Sequence, residues 1–181
     1  MVPCAPQVAQ PVVEMRLFTA LELPPAVVTA LHGWAREHAS QLRVLPPESL
    51  HATLVFLGER SREDVERIGA ALRASAAPVR GLSLGRPAAL GRGQALAIDL
   101  MDVEGTATAL QRQLADELGV VEDRPYRPHV TVARGRNVKA RGLPPLPSIG
   151  AFDATAATLF LSKPGSQYEA LVSVPLVVGG S

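Results

Sequence analysis

The chain is poor in cysteine: Cys4 is the single one among 181 residues. That excludes an internal disulfide framework and any metal cage built from thiolates. Aromatic residues are also scarce, at 4%, while 47% of the chain is apolar and 19% charged. These are proportions of an ordinary globular chain, not of a disordered one. Neither charge dominates, the formal net charge being +1, so any basic surface must come from local clustering. No apolar run approaches the roughly 20 residues that a membrane-spanning helix needs. A cytoplasmic protein without a membrane partner is the expectation, and its length suits one domain or two small lobes sharing a core.

The first 14 residues, MVPCAPQVAQPVVE, hold three prolines and no basic residue. They lack the positive start and apolar stretch of a secretory signal. They are read as a disordered tail, or as a segment preceding a start at Met15, and are set aside. Residues 15–181 are then expected to form one bilobal domain.

MRLFTALEL (15–23) has the pattern of a strand. Pro24 and Pro25 open a helix, as proline in a first turn allows, with Val27, Val28, Leu31 and Trp34 on its apolar stripe and Trp34 as a core anchor. His32 and His38 fall about 240° apart around that helix, so they cannot meet on one metal, and both are read as surface residues. LRVLPPESL is expected as a loop into a strand, HATLVFLG (51–58). A helix follows, with Ser61 as N-cap and Asp64 three residues on. Next come a strand within 79–90, a Gly-Arg-Gly turn, a strand at 94–100 and a helix ending on Gly119 as C-cap. The segments 124–134, 151–162 and 168–178 supply three more strands.

One unit occurs twice: strand, helix, proline-bearing loop, then a strand opening His-x-Thr followed by an apolar residue. Leu17 precedes His51 by 34 positions, and Ile98 precedes His129 by 31. The first unit spans about 15–90 and the second about 94–181. A lone His-x-Thr has a plain reading, a half-exposed histidine at a strand end beside a residue of high β-propensity. With only four histidines in the chain, recurrence at matched positions is poorly explained by chance. Alternate side chains share a face of a strand, so each histidine is paired with its threonine, while Ala52, Leu54 and Phe56 are assigned to the other face.

Two histidines across a cleft can divide proton transfer, one as base and one as acid. Two threonine hydroxyls can donate to oxygens of the reacting group. That set suits a phosphoryl group attacked by water. No Gly-x-Ser-x-Gly elbow is present, neither motif brings a second zinc ligand, and the glycines at 91–93 are too few for a phosphate loop.

HATLVFLG and RPHVTVAR resemble the paired motifs of the 2H (two-histidine) phosphoesterase superfamily. They are most similar to its LigT-like RNA 2',3'-cyclic phosphodiesterases, the 2'-5' RNA ligase family. The likeness runs from Met15 through MRLFTALELP, LPPESLHATLVFLGE and LGVVEDRPYRPHVTVAR to the late YEAL. It implies a bilobal, duplicated α+β fold with antiparallel sheets lining a central cleft and helices outside. It implies no metal and no cofactor, and a monomer that opens terminal 2',3'-cyclic phosphates of RNA to 2'-phosphates. Some relatives of this kind join 2'-5' RNA ends.

By the same resemblance, His51 and His129 are catalytic, with His129 as base and His51 as acid, and Thr53 and Thr131 bind phosphate. The duplication itself leaves the acid and base open. Arg134 matches an arginine placed near the phosphate or base, although strict alternation from Thr131 turns it to the opposite face. Tyr126 matches an aromatic for base stacking, with packing against its own lobe as the rival reading. Ala52 and Val132 depart from the residues usual at their positions, away from the expected chemistry. Between Arg124 and Arg141 lie six basic residues and no acid, so Arg127 and Arg136 are candidates for RNA contacts. Scattered solubilising arginines are the rival there. Competing functions are action on a small cyclic nucleotide or 2'-5' oligonucleotide, and RNA-end binding with little turnover.

Overall fold

The computed structural model describes residues 14–176. The N-terminal segment set aside above lies outside the described residues except for Glu14. The elements in chain order are β1 (Met15–Glu22), α1 (Pro25–His38), β2 (Arg43–Val44), a 3₁₀ turn (Pro47–Ser49), β3 (Ala52–Arg60), α2 (Asp64–Ser75), β4 (Leu82–Leu90), β5 (Ala95–Asp102), α3 (Thr106–Leu118), β6 (His129–Arg134), β7 (Ala156–Lys163) and β8 (Gln167–Pro175).

All eight strands belong to one antiparallel sheet, ordered β4-β5-β6-β3-β1-β7-β8, with β2 on β6. The expected α+β class and antiparallel pairing hold. The two lobes are halves of one curled sheet, not separate sheets. They join at β3 and β6 through a single registered pair, Ala52 with Val130. Each half draws strands from both sequence units, because β4 pairs β5 while β7 and β8 return to β1.

Local chemistry explains the helices. Pro25 stands in the first turn of α1, and Val27, Leu31, Trp34 and Ala35 are its buried stripe. The Trp34 ring is a core anchor as expected, and its Nε1 donates to Pro145 O at 3.0 Å. Ser61 and Asp64 bond reciprocally, Asp64 N to Ser61 Oγ at 3.3 Å and Ser61 N to Asp64 Oδ2 at 3.1 Å. These bonds close a turn, and the helix proper begins two residues later than the sequence implied, at Asp64 with Glu63 as its cap. The Asp102 carboxylate accepts the Ala107 and Thr108 amides at the start of α3, which satisfies two otherwise orphaned donors. Gly119 ends α3 at φ 64°, in the left-handed conformation expected of it.

Two expectations are corrected. LRVLPPESL is not all loop: Arg43 and Val44 pair with Arg134 and Ala133 of β6, and a 3₁₀ turn follows. His32 and His38 are half-buried rather than free at the surface; His32 Nδ1 lies 3.0 Å from Leu45 O, and the His38 ring packs edge-on against Trp34.

The main core lies between the sheet and the helices. Leu21, Leu31, Ile68, Leu72, Ile98, Leu114 and Leu159 are fully buried there. Burial of each such side chain stabilises by about 1.5–3 kcal/mol. A second, smaller cluster sits on the other face of the sheet: Phe18, Ala20 and Phe160, with Tyr168 packed on it. That aromatic floor belongs to the cleft.

Candidate active site

The concave face of the sheet holds a cleft of about 630 Å³, lined by residues from every strand but β2 and by none from the three α-helices. His51, Thr53, His129 and Thr131 all line it. The register explains why. In the second unit Ala97 pairs Thr131 and Ile98 pairs Val130; in the first Ala20 pairs Thr53 and Leu21 pairs Ala52. Leu21, not Leu17, is therefore the counterpart of Ile98, and it precedes His51 by 30 positions. The residue after each histidine is the one paired across the join, Ala52 with Val130. The pseudo-twofold axis thus passes between these two. Antiparallel continuation of that pair sets His51 opposite Thr131 and Thr53 opposite His129.

Both motif strands carry a bulge at the same place. Thr19 pairs Val55 and Ala20 pairs Thr53, so Leu54 is an extra residue; Leu96 pairs Ala133 and Ala97 pairs Thr131, so Val132 is one. Each bulge sends two consecutive residues into the core, Leu54 with Val55 and Val132 with Ala133, and shifts the alternation beyond it. Arg134 therefore returns to the face of His129 and Thr131 and lines the cleft. Its counterpart Phe56 does the same and is 68% exposed, which corrects its assignment to the core face. Reading alternation without the bulges misplaced both residues.

The two histidines differ in surroundings. The His51 ring is packed against Phe18, Phe160 and Tyr168, with centroids at 5.0, 5.7 and 4.9 Å. Burial pushes its pKa down from 6.5 to about 4; a hydrogen bond to the Ser49 carbonyl opposes this, and His129 and Arg134 add to it by like charge. His129 stands on the side away from the aromatics. Its Nδ1 lies 2.8 Å from Arg127 O. A carbonyl only accepts, so in the neutral ring Nδ1 carries the proton and Nε2 the lone pair.

Arginine and lysine are the permanent charges on the cleft wall, at Arg16, Arg134 and Lys163, and no carboxylate lines it. Lys163 is paired with Glu169. Among the described residues no three His, Cys, Asp or Glu side chains are grouped closely enough to hold a metal.

The remaining candidates lie elsewhere. Tyr126 does not line the cleft. Its ring packs against the main core and its hydroxyl donates to Thr53 O at 3.1 Å; burial, then the Asp102 carboxylate, holds the phenol protonated. That bond ties the approach to β6 onto β3, where the sheet has only one registered pair. Arg127 points away from the cleft and clasps Asp99, Nε to Oδ1 at 2.9 Å and Nη2 to Oδ2 at 2.7 Å. Arg136 is exposed and outside the cleft lining. The sequence reading missed the aromatic floor: Phe18 in β1, Phe160 in β7 and Tyr168 in β8 meet only after β7 pairs with β1. The single signal for Tyr168 was its place at the head of YEAL.

The model of the 2'-5' RNA ligase superfamily matches residues 18–157. A Thermus thermophilus protein named RNA 2',3'-cyclic phosphodiesterase is 31% identical over 155 residues, 73% of this chain and 74% of that one. Among solved structures, Escherichia coli LigT complexed with 3'-AMP superposes with a TM-score of 0.76 at 23% identity, over 91% of this chain and 99% of that one. A second, from Thermus thermophilus, gives 0.69 at 28% identity, over 90% and 98%. No helix among the described residues is long and apolar enough to cross a membrane. With a family model over most of the chain, a curated relative above 30% identity and a common fold, the chain belongs to the 2'-5' RNA ligase superfamily and is an enzyme of the LigT-like, two-histidine phosphoesterase kind.

Proposed function

We propose that the protein hydrolyses the terminal 2',3'-cyclic phosphate of RNA to a 2'-phosphomonoester. The observation that carries this reading is the pairing of Ala52 with Val130, which turns two His-x-Thr strands toward one cleft free of carboxylates. A cyclic phosphate is anionic and presents two non-bridging oxygens. Thr53 and Thr131 donate their hydroxyls to these oxygens, and Arg134 offsets the charge. The exposed ring of Phe56 and the edge of Tyr168 supply an apolar surface for the nucleobase.

His129, with Nε2 unprotonated, takes a proton from the attacking water as the oxygen bonds to phosphorus. The bond from phosphorus to the 3' oxygen breaks, and His51 gives that oxygen its proton. One water is consumed, and the product carries a 2'-phosphate and a 3'-hydroxyl. A 5'-hydroxyl in place of water would join two ends through a 2'-5' bond by the same proton transfers. His51 is neutral in the empty site, so it acquires its proton together with the anionic substrate.

Product analysis tests the proposal, using a 2',3'-cyclic mononucleotide and a short RNA with a cyclic end, with and without EDTA. The expected result is a 2'-phosphate from both, unaffected by chelator. A 3'-phosphate product, or activity lost in EDTA and restored by a divalent ion, overturns it. Turnover of the mononucleotide alone selects the small-nucleotide reading.

A further inference from the structure

Each histidine ring bonds to the carbonyl two residues upstream, His51 to that of Ser49 and His129, through Nδ1, to that of Arg127. A carbonyl aims a ring only as well as its own residue is held. Ser49 is buried, and its Oγ donates to Ser166 O at 3.0 Å. Arg127 has no such burial; it sits in the loop before β6, exposed, with one neighbouring main-chain bond from Leu100 N to Pro128 O at 2.9 Å. What fixes it is the two-bond clasp on Asp99, whose side chain is only 17% exposed. Asp99 is also the strand partner of His129 across β5 and β6.

The neighbouring strand passes close to the main chain of Asp99. β4 is irregular between Leu84 and Pro87, and a Cβ at Gly85 would come within 3.0 Å of Asp99 O and 3.1 Å of Asp99 Cβ. Arg86 reaches Asp99 Oδ2 only at 3.9 Å from an open position, so the close partner is Arg127.

We propose that Asp99 and Arg127 are positioning residues for His129: the carboxylate, without touching the imidazole, holds the arginine whose main-chain carbonyl fixes the ring's tautomer and aim. This rests on the reading of His129 as a proton carrier. It also gives Arg127 a role in place of RNA contact. The logic is that of a carboxylate orienting a catalytic histidine, with a main-chain carbonyl interposed.

The test compares Asp99→Asn, Arg127→Ala, Arg127→Lys and the Asp99→Asn/Arg127→Ala double variant with wild type and His129→Ala. Steady-state kinetics on a 2',3'-cyclic mononucleotide and on RNA is combined with ¹⁵N spectra of the His129 ring well above neutral pH. The Arg127 guanidinium is half exposed, and ion pairs open to solvent contribute about 0–1 kcal/mol, so melting temperatures should move little. Asp99→Asn and Arg127→Ala should each lower kcat on the order of 10-fold with KM nearly unchanged, because the carbonyl survives but is no longer fixed. The ring spectrum should pass from the Nδ1-protonated form to a tautomer mixture. Arg127→Lys should recover part of the rate, since lysine keeps one bond to Asp99, and the double variant should be no worse than Arg127→Ala. A KM raised more for RNA than for the mononucleotide, at constant kcat, would make Arg127 an RNA contact and overturn the proposal. Wild-type kcat and tautomer in Asp99→Asn, beside an inactive His129→Ala, would overturn the positioning role alone. An active His129→Ala would bring down the two-histidine reading beneath it.

Discussion

Binding of substrate should draw a proton into the cleft, and His51 is the group expected to take it. In the empty site its pKa lies at about 4, chiefly because the ring is walled in by Phe18, Phe160 and Tyr168, with His129 and Arg134 adding repulsion. At pH 7 about one molecule in a thousand then carries the proton. A cyclic phosphate brings one negative charge. Two unit charges about 4 Å apart attract by about 4 kcal/mol at an effective dielectric of 20. That is about a thousandfold in the protonation equilibrium, enough to return His51 to the neutral range, and the phosphate also offsets Arg134. The experiment is calorimetric titration with a 2',3'-cyclic phosphonate, which keeps a single fixed charge and is not turned over. Run at pH 7 in buffers of different ionisation enthalpy, it should show uptake of about half a proton, if the attraction is of this size. His51→Gln should abolish the uptake. If wild type takes up no proton, His51 stays neutral in the complex and the assignment of acid and base is reversed. If uptake persists in His51→Gln, the proton goes elsewhere and the electrostatic argument fails.

Replacement of the reacting groups should separate chemistry from folding. His51→Ala and His129→Ala should each cost at least about 10²–10⁴-fold in turnover, and Thr53→Ala or Thr131→Ala about 2–4 kcal/mol of transition-state stabilisation, all with cooperative melting retained; activity in folded His51→Ala would return that residue to a strand-end histidine. Arg134→Ala should weaken every substrate, whereas Arg136→Ala should weaken RNA alone and less so at high salt; equal effects of Arg136→Ala on RNA and mononucleotide would make it a solvated surface charge.

The sequence alone determined the repeat and the chemistry it carries. His-x-Thr recurs at matched positions, and alternation over two residues is a local property that survives in any sheet. Pro25 in the first turn of α1, the buried stripe through Trp34 and the Gly119 cap were legible for the same reason: each depends on residues within a turn or two. Tertiary structure decided the rest, because each remaining feature depends on a partner distant in the chain. The bulges at Leu54 and Val132 exist only against the register of β1 and β5, and they alone bring Phe56 and Arg134 to the cleft. Arg127 looked like a free cation until β5 placed Asp99 beside it, and Tyr126 looked like a stacking ring until its hydroxyl found Thr53 O. The aromatic wall that lowers the pKa of His51 is assembled from β1, β7 and β8. Two histidines that read alike in sequence therefore stand in different surroundings, since desolvation is set by whatever the fold packs around a ring and not by the motif that bears it.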